Sequence, residues 1–256
     1  MSTGAITQYI DVAQLVLYAF WIFFAGLIIY LQREMKREGY PLESDRSERA
    51  PRVKIQGFPA MPEPKTYLLR DGRTVVSPRQ EPREEVRGTP IGPWPGAPLE
   101  PDGDPMTAEV GPGAYARRAD IPDTTLEGAP RIVPLRADPA LGVSIHDTDP
   151  RGQAVFGADG VIAGDVVDLW ADRTDVLFRF LEIELANGGG RVLAPVPFAR
   201  LLNFRVQINA LLASQFAGVP RLRNPDVITL LEEEKIAAYY AAGKLYATPE
   251  RQEPLL

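Results

Sequence analysis

Ionisable side chains crowd into one stretch of the 256-residue chain, and their types limit the chemistry that they could perform. Eight of them fall within residues 165–184: Asp165, Asp168, Asp172, Arg173, Asp175, Arg179, Glu182 and Glu184. Partly buried carboxylates that repel one another have raised and coupled pKa values. Such a row, together with water, could pass protons. A solvated sheet face held by ion pairs would show the same residues, so both interpretations stay open.

The residue types that are missing exclude several other functions. The chain has no cysteine and a single histidine, His146, which excludes thiol nucleophiles, disulfides and metal sites built on cysteine or on two histidines of this chain. The sequence also lacks a P-loop, a G-x-S-x-G elbow, an H-E-x-x-H motif and a dinucleotide fingerprint. We therefore expect no catalytic, cofactor-binding or metal-binding residues, and His146 beside Asp147 is interpreted as a solvated loop pair.

The charge balance argues against a nucleic-acid partner. The sequence has 28 Lys and Arg against 34 Asp and Glu, which gives a formal net charge of −6. Proteins that bind the phosphate backbone need a basic surface. No nucleic acid is therefore expected among the partners.

Residues 12–31, VAQLVLYAFWIFFAGLIIYL, carry no charge and predict a transmembrane helix. A helix of this length spans about 30 Å, the thickness of the hydrocarbon core of a bilayer. A cleaved signal peptide would need positive charge before the apolar run and small residues after it, and the sequence has neither. The aromatic side chains of this segment fit contact with lipid and contact with partner helices or pigments equally well.

Basic residues on one side of the span predict its orientation. Arg33, Lys36 and Arg37 follow the span, and no Lys or Arg precedes it. By the positive-inside rule, residues 1–11 lie outside and the rest of the chain lies in the cytoplasm.

The segment at residues 32–150 is rich in proline, with 19 of the 25 prolines between Pro41 and Pro150. Proline at this density excludes regular helices and long central strands. Residues 66–69 and 73–77, separated by an Asp-Gly turn, predict one short hairpin. The composition favours a disordered linker. The alternative is an extended segment along a partner surface, anchored by Trp94, Met106 and Tyr115.

Residues 151–256 predict a mainly β domain with a C-terminal helix. β-branched runs separated by turn signals occupy residues 160–170, 176–185, 191–197 and 204–211, a spacing typical of a small antiparallel sheet or barrel. Thr229, followed by Glu232, forms a capping-box pattern that predicts the start of the helix. Gly243 is the expected end of this helix.

Several short stretches occur in a characteristic order over nearly the whole chain: FWIFFAGLIIYLQ (20–32), REGYPLE (37–43), GDPM (103–106), VGP (110–112), ARR (116–118), VVDLWAD (166–172), RFLEIEL (179–185), FAGVP (216–220) and LLEEEK (230–235). In this order, they resemble the H subunit of the photosynthetic reaction centre of purple bacteria, a type-II reaction centre.

The resemblance implies the fold, the partners and the location. It implies a single transmembrane helix and a cytoplasmic domain with a PRC-barrel-like β fold, in the inner (chromatophore) membrane with the N-terminus in the periplasm. The expected partners are the L and M subunits and the lipid bilayer, and a light-harvesting antenna is a candidate further partner. Bacteriochlorophyll, bacteriopheophytin, quinones and non-haem iron would be held by L and M, with none ligated by this chain.

The resemblance also assigns roles to individual residues. It places a proton relay toward the secondary quinone at Asp172, Asp175, Arg179, Glu182 and Glu233. Some relatives have a histidine pair at the proton entry, whereas residues 126–134 of this chain contain no histidine. Candidate entry residues are therefore Glu127, Asp123 and Asp120.

The leading hypothesis is a non-pigmented subunit that caps L and M, stabilises the quinone region and conducts protons, without an active site of its own. The alternative is a membrane-tethered adaptor whose β domain docks a soluble partner.

Overall fold

The protein forms two compact units in a computed structural model that describes residues 11–40, 57–78, 86–94 and 96–252. The first unit comprises the chain up to residue 84 together with residues 94–96, and the second comprises residues 85–93 and everything from residue 97 onward. The predicted outer segment, apart from Asp11, and parts of the proline-rich segment (41–56 and 79–85) lie outside the described residues.

The first unit begins with helix α1, Val12–Arg37. The side chain of Asp11 caps it by accepting a hydrogen bond of 2.7 Å from the backbone N–H of Gln14. The helix continues six residues past the predicted span because the polar residues after Leu31 are good helix formers. Its most apolar stretch has a mean hydropathy of 2.3 and is not buried within the protein. By length and composition, α1 is therefore able to cross a membrane.

The C-terminal end of α1 is held by the segment that follows it. Gly39 takes a φ of +93°, a conformation that glycine adopts without steric cost, and turns the chain away from the helix. The short strands β1 (Lys65–Leu68) and β2 (Thr74–Ser77) then pair as an antiparallel hairpin where the sequence predicted one. The hydroxyl of Ser77 donates a 2.8 Å hydrogen bond to the carbonyl of Arg37, which ties the hairpin to the helix end.

The second unit is built on strands. A small ladder of β3 (Gly88–Pro90) and β4 (Leu99–Pro101) precedes a seven-stranded sheet. The strands of this sheet are β5 (Ile132–Pro134), β6 (Ala154–Phe156), β7 (Ile162–Asp172), β8 (Leu177–Leu185), β9 (Arg191–Pro195), β10 (Ala199–Leu202) and β11 (Arg205–Ile208). Their order is β10-β11-β6-β7-β8-β9, and β5 pairs with the end of β7.

The sheet is open within the described residues, because strands β9 and β10, at the two ends of its order, do not pair with each other. A short turn at residues 196–198 joins these two strands, so one bent stretch of chain pairs with β8 at one end and with β11 at the other. The predicted fold class, a mainly β, barrel-like domain, is thus confirmed, and two details of the prediction are corrected. The sheet is open, and β6 pairs with β11 in parallel.

The hydrophobic core of the second unit takes in part of the proline-rich segment. Met106, Ile132 and Leu135 are buried in the same cluster as the side chains of β7 and β8. These residues lie before residue 151, where the sequence placed the start of the globular domain. Of the three residues that the alternative interpretation assigns as anchors, Met106 is 8 % exposed, whereas Trp94 is 56 % exposed. Tyr115 is half-buried and hydrogen-bonded to Glu109.

Helix α2, Leu230–Tyr246, starts at the predicted capping box. The N–H of Glu232 donates to the Thr229 hydroxyl (3.1 Å), and the Glu232 carboxylate accepts from the Thr229 N–H (2.9 Å). The predicted end at Gly243 is wrong, because the helix continues for three more residues. A Cβ at Gly243 would lie only 2.4 Å from the carbonyl oxygen of Ala210, so this glycine lets the helix pack closely against the strand layer.

Removing the cap of α2 should weaken the second unit. We expect Thr229→Ala to lower the free energy of unfolding by about 1 kcal/mol and the Tm by about 3 °C, because the N–H of Glu232 loses its acceptor and Asp120 loses the hydroxyl that donates to it. Thermal unfolding of the detergent-solubilised full chain, followed by circular dichroism, measures the change. Thr125→Ala is the control, since no hydrogen bond of the Thr125 side chain is found in the described part of the chain; equal losses in the two variants would contradict the capping role.

Candidate functional site

Asp172 lies at the end of β7 and organises the turn into β8. Its carboxylate is only 2 % exposed. Its Oδ1 accepts hydrogen bonds from the backbone N–H groups of Thr174 (2.8 Å) and Asp175 (3.1 Å). Val176 completes the turn with a φ of +52°, which is a strained conformation for a β-branched residue. The turn therefore depends on Asp172, and it fixes the position of Asp175.

Arg131 gathers the carboxylates at this end of the sheet. Because Ile132 of β5 pairs with Asp172 of β7, the preceding Arg131 reaches the Asp172 carboxylate. Its Nε donates to both oxygens of Asp172, at 3.0 and 2.9 Å. Its Nη2 donates to Asp175 (2.7 Å), and its Nη1 donates to Asp123 (3.3 Å). We call Asp123, Arg131, Asp172 and Asp175 the Arg131 cluster.

The electrostatics of the Arg131 cluster keep Asp172 ionised. Burial alone would raise the pKa of Asp172, but the hydrogen bonds from Arg131 and from the backbone N–H groups of Asp175 and Thr174 outweigh it and hold the pKa below its ordinary value. The hydrogen bond to Asp172 in turn raises the pKa of Arg131. At neutral pH, Asp172 is thus a fixed negative charge, not a group that holds a proton.

Glu233, near the start of α2, has the opposite environment. Its side chain is 14 % exposed, and one carboxylate oxygen lies 3.7 Å from Nη2 of Arg179. Burial raises the pKa of Glu233, against the lowering effect of Arg179 and Arg118, and the nearby charge of Asp123 raises it further. Glu233 is therefore better suited than Asp172 to hold a proton, and its protonation depends on a member of the Arg131 cluster.

Glu182 belongs to a separate group of charges around Arg136. Asp168 and Glu182 face each other across β7 and β8, and both are buried. Arg136 donates to both carboxylates through Nη1 and to Asp226 through Nε and Nη2. The remaining donors to Glu182 are Nε1 of Trp170 (2.9 Å) and Nη1 of Arg191 (3.1 Å). Both oxygens of Glu182 are thus engaged within what we call the Arg136 cluster.

The structure separates the three candidate proton-entry residues. Asp123 is 40 % exposed and is part of the Arg131 cluster. Asp120 binds the guanidinium of Arg223 and accepts a 2.8 Å hydrogen bond from the Thr229 hydroxyl, and these contacts lower its pKa. Glu127 is exposed at the surface. Through its contact with Arg131, Asp123 joins solvent to the predicted relay residues Asp172 and Asp175.

The structure thus brings together only some of the residues that the sequence selected. Asp172, Asp175 and Asp123 meet at Arg131, and Arg179 meets Glu233, whereas Glu182 lies in the other cluster. Asp165, Glu184 and His146 are exposed, and Arg173 pairs with Asp138 at 2.7 Å.

Sequence reasoning missed both organising cations, Arg131 and Arg136. The available signal was the apolar run at residues 132–135, which has an arginine on each side and no carboxylate next to it. Within the part of the chain that the structure describes, no group of three His, Cys, Asp or Glu side chains has a geometry that could hold a metal ion.

Two family models match the chain, and together they cover most of both units. The model described as the photosynthetic reaction centre, H-chain N-terminal region, matches residues 4–137, which is more than half of the chain. The model described as the PRC-barrel domain matches residues 142–214. The first match includes α1, the hairpin and Arg131, and the second includes strands β6 to β11.

Replacing Arg131 should destabilise the protein, because Asp172 would stay buried without its partner. We expect Arg131→Gln to lower the free energy of unfolding by about 3 kcal/mol at pH 7, as is usual when one member of a buried ion pair is removed. Denaturant unfolding of the detergent-solubilised full chain measures this change. Arg151→Gln is the matched control: its pair with Asp149 is exposed, so we expect a loss below about 1 kcal/mol.

The loss of stability in Arg131→Gln should depend on pH. The folded-state pKa of Asp172 is lowered, so its contribution to stability is present above the unfolded-state value of about 3.9 and is lost as the pH falls through the folded value. The difference between wild type and Arg131→Gln should therefore be constant near neutral pH and shrink below about pH 4. A difference that stays constant down to pH 2, or an equal loss in Arg151→Gln, would contradict this account.

Proposed function

Because the chain belongs to the family of photosynthetic reaction centre H chains, we propose that it caps the L and M subunits and stabilises the quinone region between them and the cytoplasm. The apolar, exposed helix α1 and the separate polar β unit support this role. In this proposal L and M hold the bacteriochlorophyll, bacteriopheophytin, quinones and non-haem iron, and this chain has no active site of its own.

The membrane anchor is proposed to have its N-terminus in the periplasm and its β unit in the cytoplasm, in the chromatophore membrane. The support is the group of basic residues at one end of α1: Arg33, Lys36 and Arg37. Cationic side chains are retained on the cytoplasmic side of a membrane. This orientation places the Arg131 cluster in the compartment from which protons reach the secondary quinone.

We further propose that the Arg131 cluster and Glu233 form part of the proton pathway to that quinone. The observation that carries this proposal is the convergence of Asp123, Asp172 and Asp175 on the single guanidinium of Arg131. Carboxylates that bind the same cation interact electrostatically. A proton taken up by one of them therefore changes the proton affinity of the others.

The environments of the carboxylates assign them different tasks in this pathway. Asp123 and Asp175, with 40 % and 46 % exposed side chains, are the groups that exchange protons with water. Asp172 stays ionised and provides a fixed negative potential. Glu233 holds the proton in transit, because burial favours its neutral form, and the charge of Arg179 limits how far its pKa rises.

Glu182 has weaker support as a relay residue. Arg136, Arg191 and Trp170 donate to both of its oxygens, which holds it in place between β7 and β8. We propose that the Arg136 cluster fixes the strands on which Asp172 and Arg179 lie.

A double substitution in the Arg131 cluster tests the proton pathway. We expect Asp172→Asn with Asp175→Asn to slow the proton-coupled second electron transfer to the quinone by about tenfold or more, since two acidic groups of the path are lost. An asparagine at 172 keeps the oxygen that accepts from Thr174 and Asp175, so the turn is retained. Flash-induced proton uptake in the purified complex measures the rate.

The control is Asp147→Asn with Asp149→Asn, which removes the same formal charge from a loop outside both clusters. We expect this control to take up protons at the wild-type rate. Wild-type kinetics in the Asp172/Asp175 variant, or equal slowing in the control, would contradict the proposed pathway.

A further inference from the structure

A groove of about 530 Å³ lies in the second unit, between the β10–β11 hairpin and the C-terminal end of α2. The hairpin side is formed by residues 197–200 and by Gln207 and Asn209, and the helix side by Lys244 and Arg251. No member of the Arg131 cluster or the Arg136 cluster is among the described residues that line it. Its volume lies within the range of small-molecule sites, about 300–1,000 Å³.

Three cations line this groove, and the described residues around it include no carboxylate. Arg200 lies on β10, Lys244 in the last turn of α2, and Arg251 in the short helix Pro249–Arg251. The whole chain has a formal net charge of −6, so the charge of the groove is opposite in sign to that of the protein. A cleft lined by one sign of charge concentrates ions of the other sign, here anions.

Neutral groups hold two of these cations in place. Arg251 donates through Nη1 to the carbonyls of Gly243 (2.7 Å) and Ala210 (3.0 Å), and through Nη2 to a further carbonyl (3.0 Å). Nζ of Lys244 lies 5.0 Å from the centre of the Phe198 ring. Carbonyl groups and aromatic rings have no net charge, so both cations are fixed beside the groove without a neutralising anion.

The helix end explains only part of this arrangement. The carbonyl end of a helix is equivalent to about half a negative charge, which favours cations such as Lys244 and Arg251 nearby. Arg200 is on a strand. It is exposed, and no contact of its side chain is found in the part of the chain that the structure describes. Most of the positive charge, including that of Arg200, is therefore available to a ligand.

Side-chain amides add a fixed polar surface to the groove. Nε2 of Gln207 donates to the carbonyl of Gly157 (2.7 Å) and to Oδ1 of Asn209 (3.0 Å). Because these hydrogen bonds hold Gln207 in place, little side-chain freedom is lost there when a polar ligand binds.

We propose that this groove binds a small molecule that carries a diphosphate group. One phosphate carries about 1.5 to 2 negative charges at neutral pH, which falls short of the three cations even after the helix end is considered, whereas two linked phosphates match them. Guanidinium groups suit phosphate oxygens because they donate in pairs. Arg251 is half-buried, and this recessed position favours a small ligand that enters the groove over a flat acidic protein surface.

Isothermal titration calorimetry of the detergent-solubilised full chain at low ionic strength tests the proposal. Wild type, Arg200→Gln and Arg205→Gln are titrated separately with inorganic pyrophosphate, inorganic phosphate and an oligoglutamate peptide. Arg205 is the matched control, because it is an exposed arginine of the same hairpin that lies over the Phe156 ring and does not line the groove. Since Arg200 has no side-chain contact within the described residues, its replacement should leave thermal unfolding unchanged.

We expect wild type and Arg205→Gln to bind pyrophosphate more tightly than phosphate, and Arg200→Gln to bind pyrophosphate about tenfold more weakly than wild type, the effect of losing one charged hydrogen bond. Equal pyrophosphate binding by wild type and Arg200→Gln, or no binding by wild type, would overturn the proposal, as would an equal loss in Arg205→Gln.

The other two probes separate the diphosphate from simpler and larger anions. Equal binding of phosphate and pyrophosphate would overturn the proposal, and so would tighter binding of the oligoglutamate peptide than of pyrophosphate, which would assign the groove to an acidic protein segment. Because no pigment or partner subunit is involved, the outcome is independent of the proton pathway.

Discussion

The ion pair between Arg131 and Asp172 is the interaction on which the Arg131 cluster depends. A carboxylate that is 2 % exposed needs a cation and further donors to stay ionised, and Asp172 has Arg131 and two backbone N–H groups. These contacts join β5 to β7, close the turn into β8 and orient Asp175. They also attach the segment that contains Asp123, since that carboxylate binds the same guanidinium. The positions of Asp123, Asp172 and Asp175 therefore follow from one arginine.

The same arrangement separates two kinds of carboxylate that the sequence cannot tell apart. Asp172 is buried beside strong hydrogen-bond donors, and these donors lower its pKa. Glu233 is also buried, but its cation lies 3.7 Å away, so burial is the dominant effect and raises its pKa. A path for protons needs both: fixed negative charge to attract the proton and a group that can hold it. Neither role requires cysteine or a second histidine, in line with the composition of the chain.

Much of the fold could be predicted because it rests on local signals. The apolar run of α1, the capping box at Thr229 and the alternating runs of β7 and β8 each lie within a few residues of one another in sequence. The three-residue strands β5 and β6 could not be predicted, because strands so short exist only through pairing with neighbours distant in sequence or across a turn: β7 for both strands, and also β11 for β6. The role of Gly243 likewise rests on its close approach to Ala210, a contact distant in sequence, and not on ending the helix.

The residue types of the candidate site could be predicted from the sequence, but the ion pairs and hydrogen bonds between them could not. The sequence indicated the acidic residues and the resemblance indicated their roles, but the partition into an Arg131 cluster and an Arg136 cluster follows from pairing between residues more than 30 positions apart. Long-range ion pairs of this kind leave no periodic pattern in a sequence. For the same reason Glu182 and Asp172, ten positions apart on paired strands, have different partners.

The most direct test of the central claim is the protonation of Glu233 during quinone reduction, followed by light-induced infrared difference spectroscopy of the purified complex. The account predicts a change in the carbonyl stretch of a protonated carboxyl group in wild type. This signal should be absent in Glu233→Gln and should shift in Arg179→Gln, which removes the nearest cation. An identical protonated-carboxyl signal in wild type and Glu233→Gln would contradict the assignment of Glu233 as the group that holds the proton.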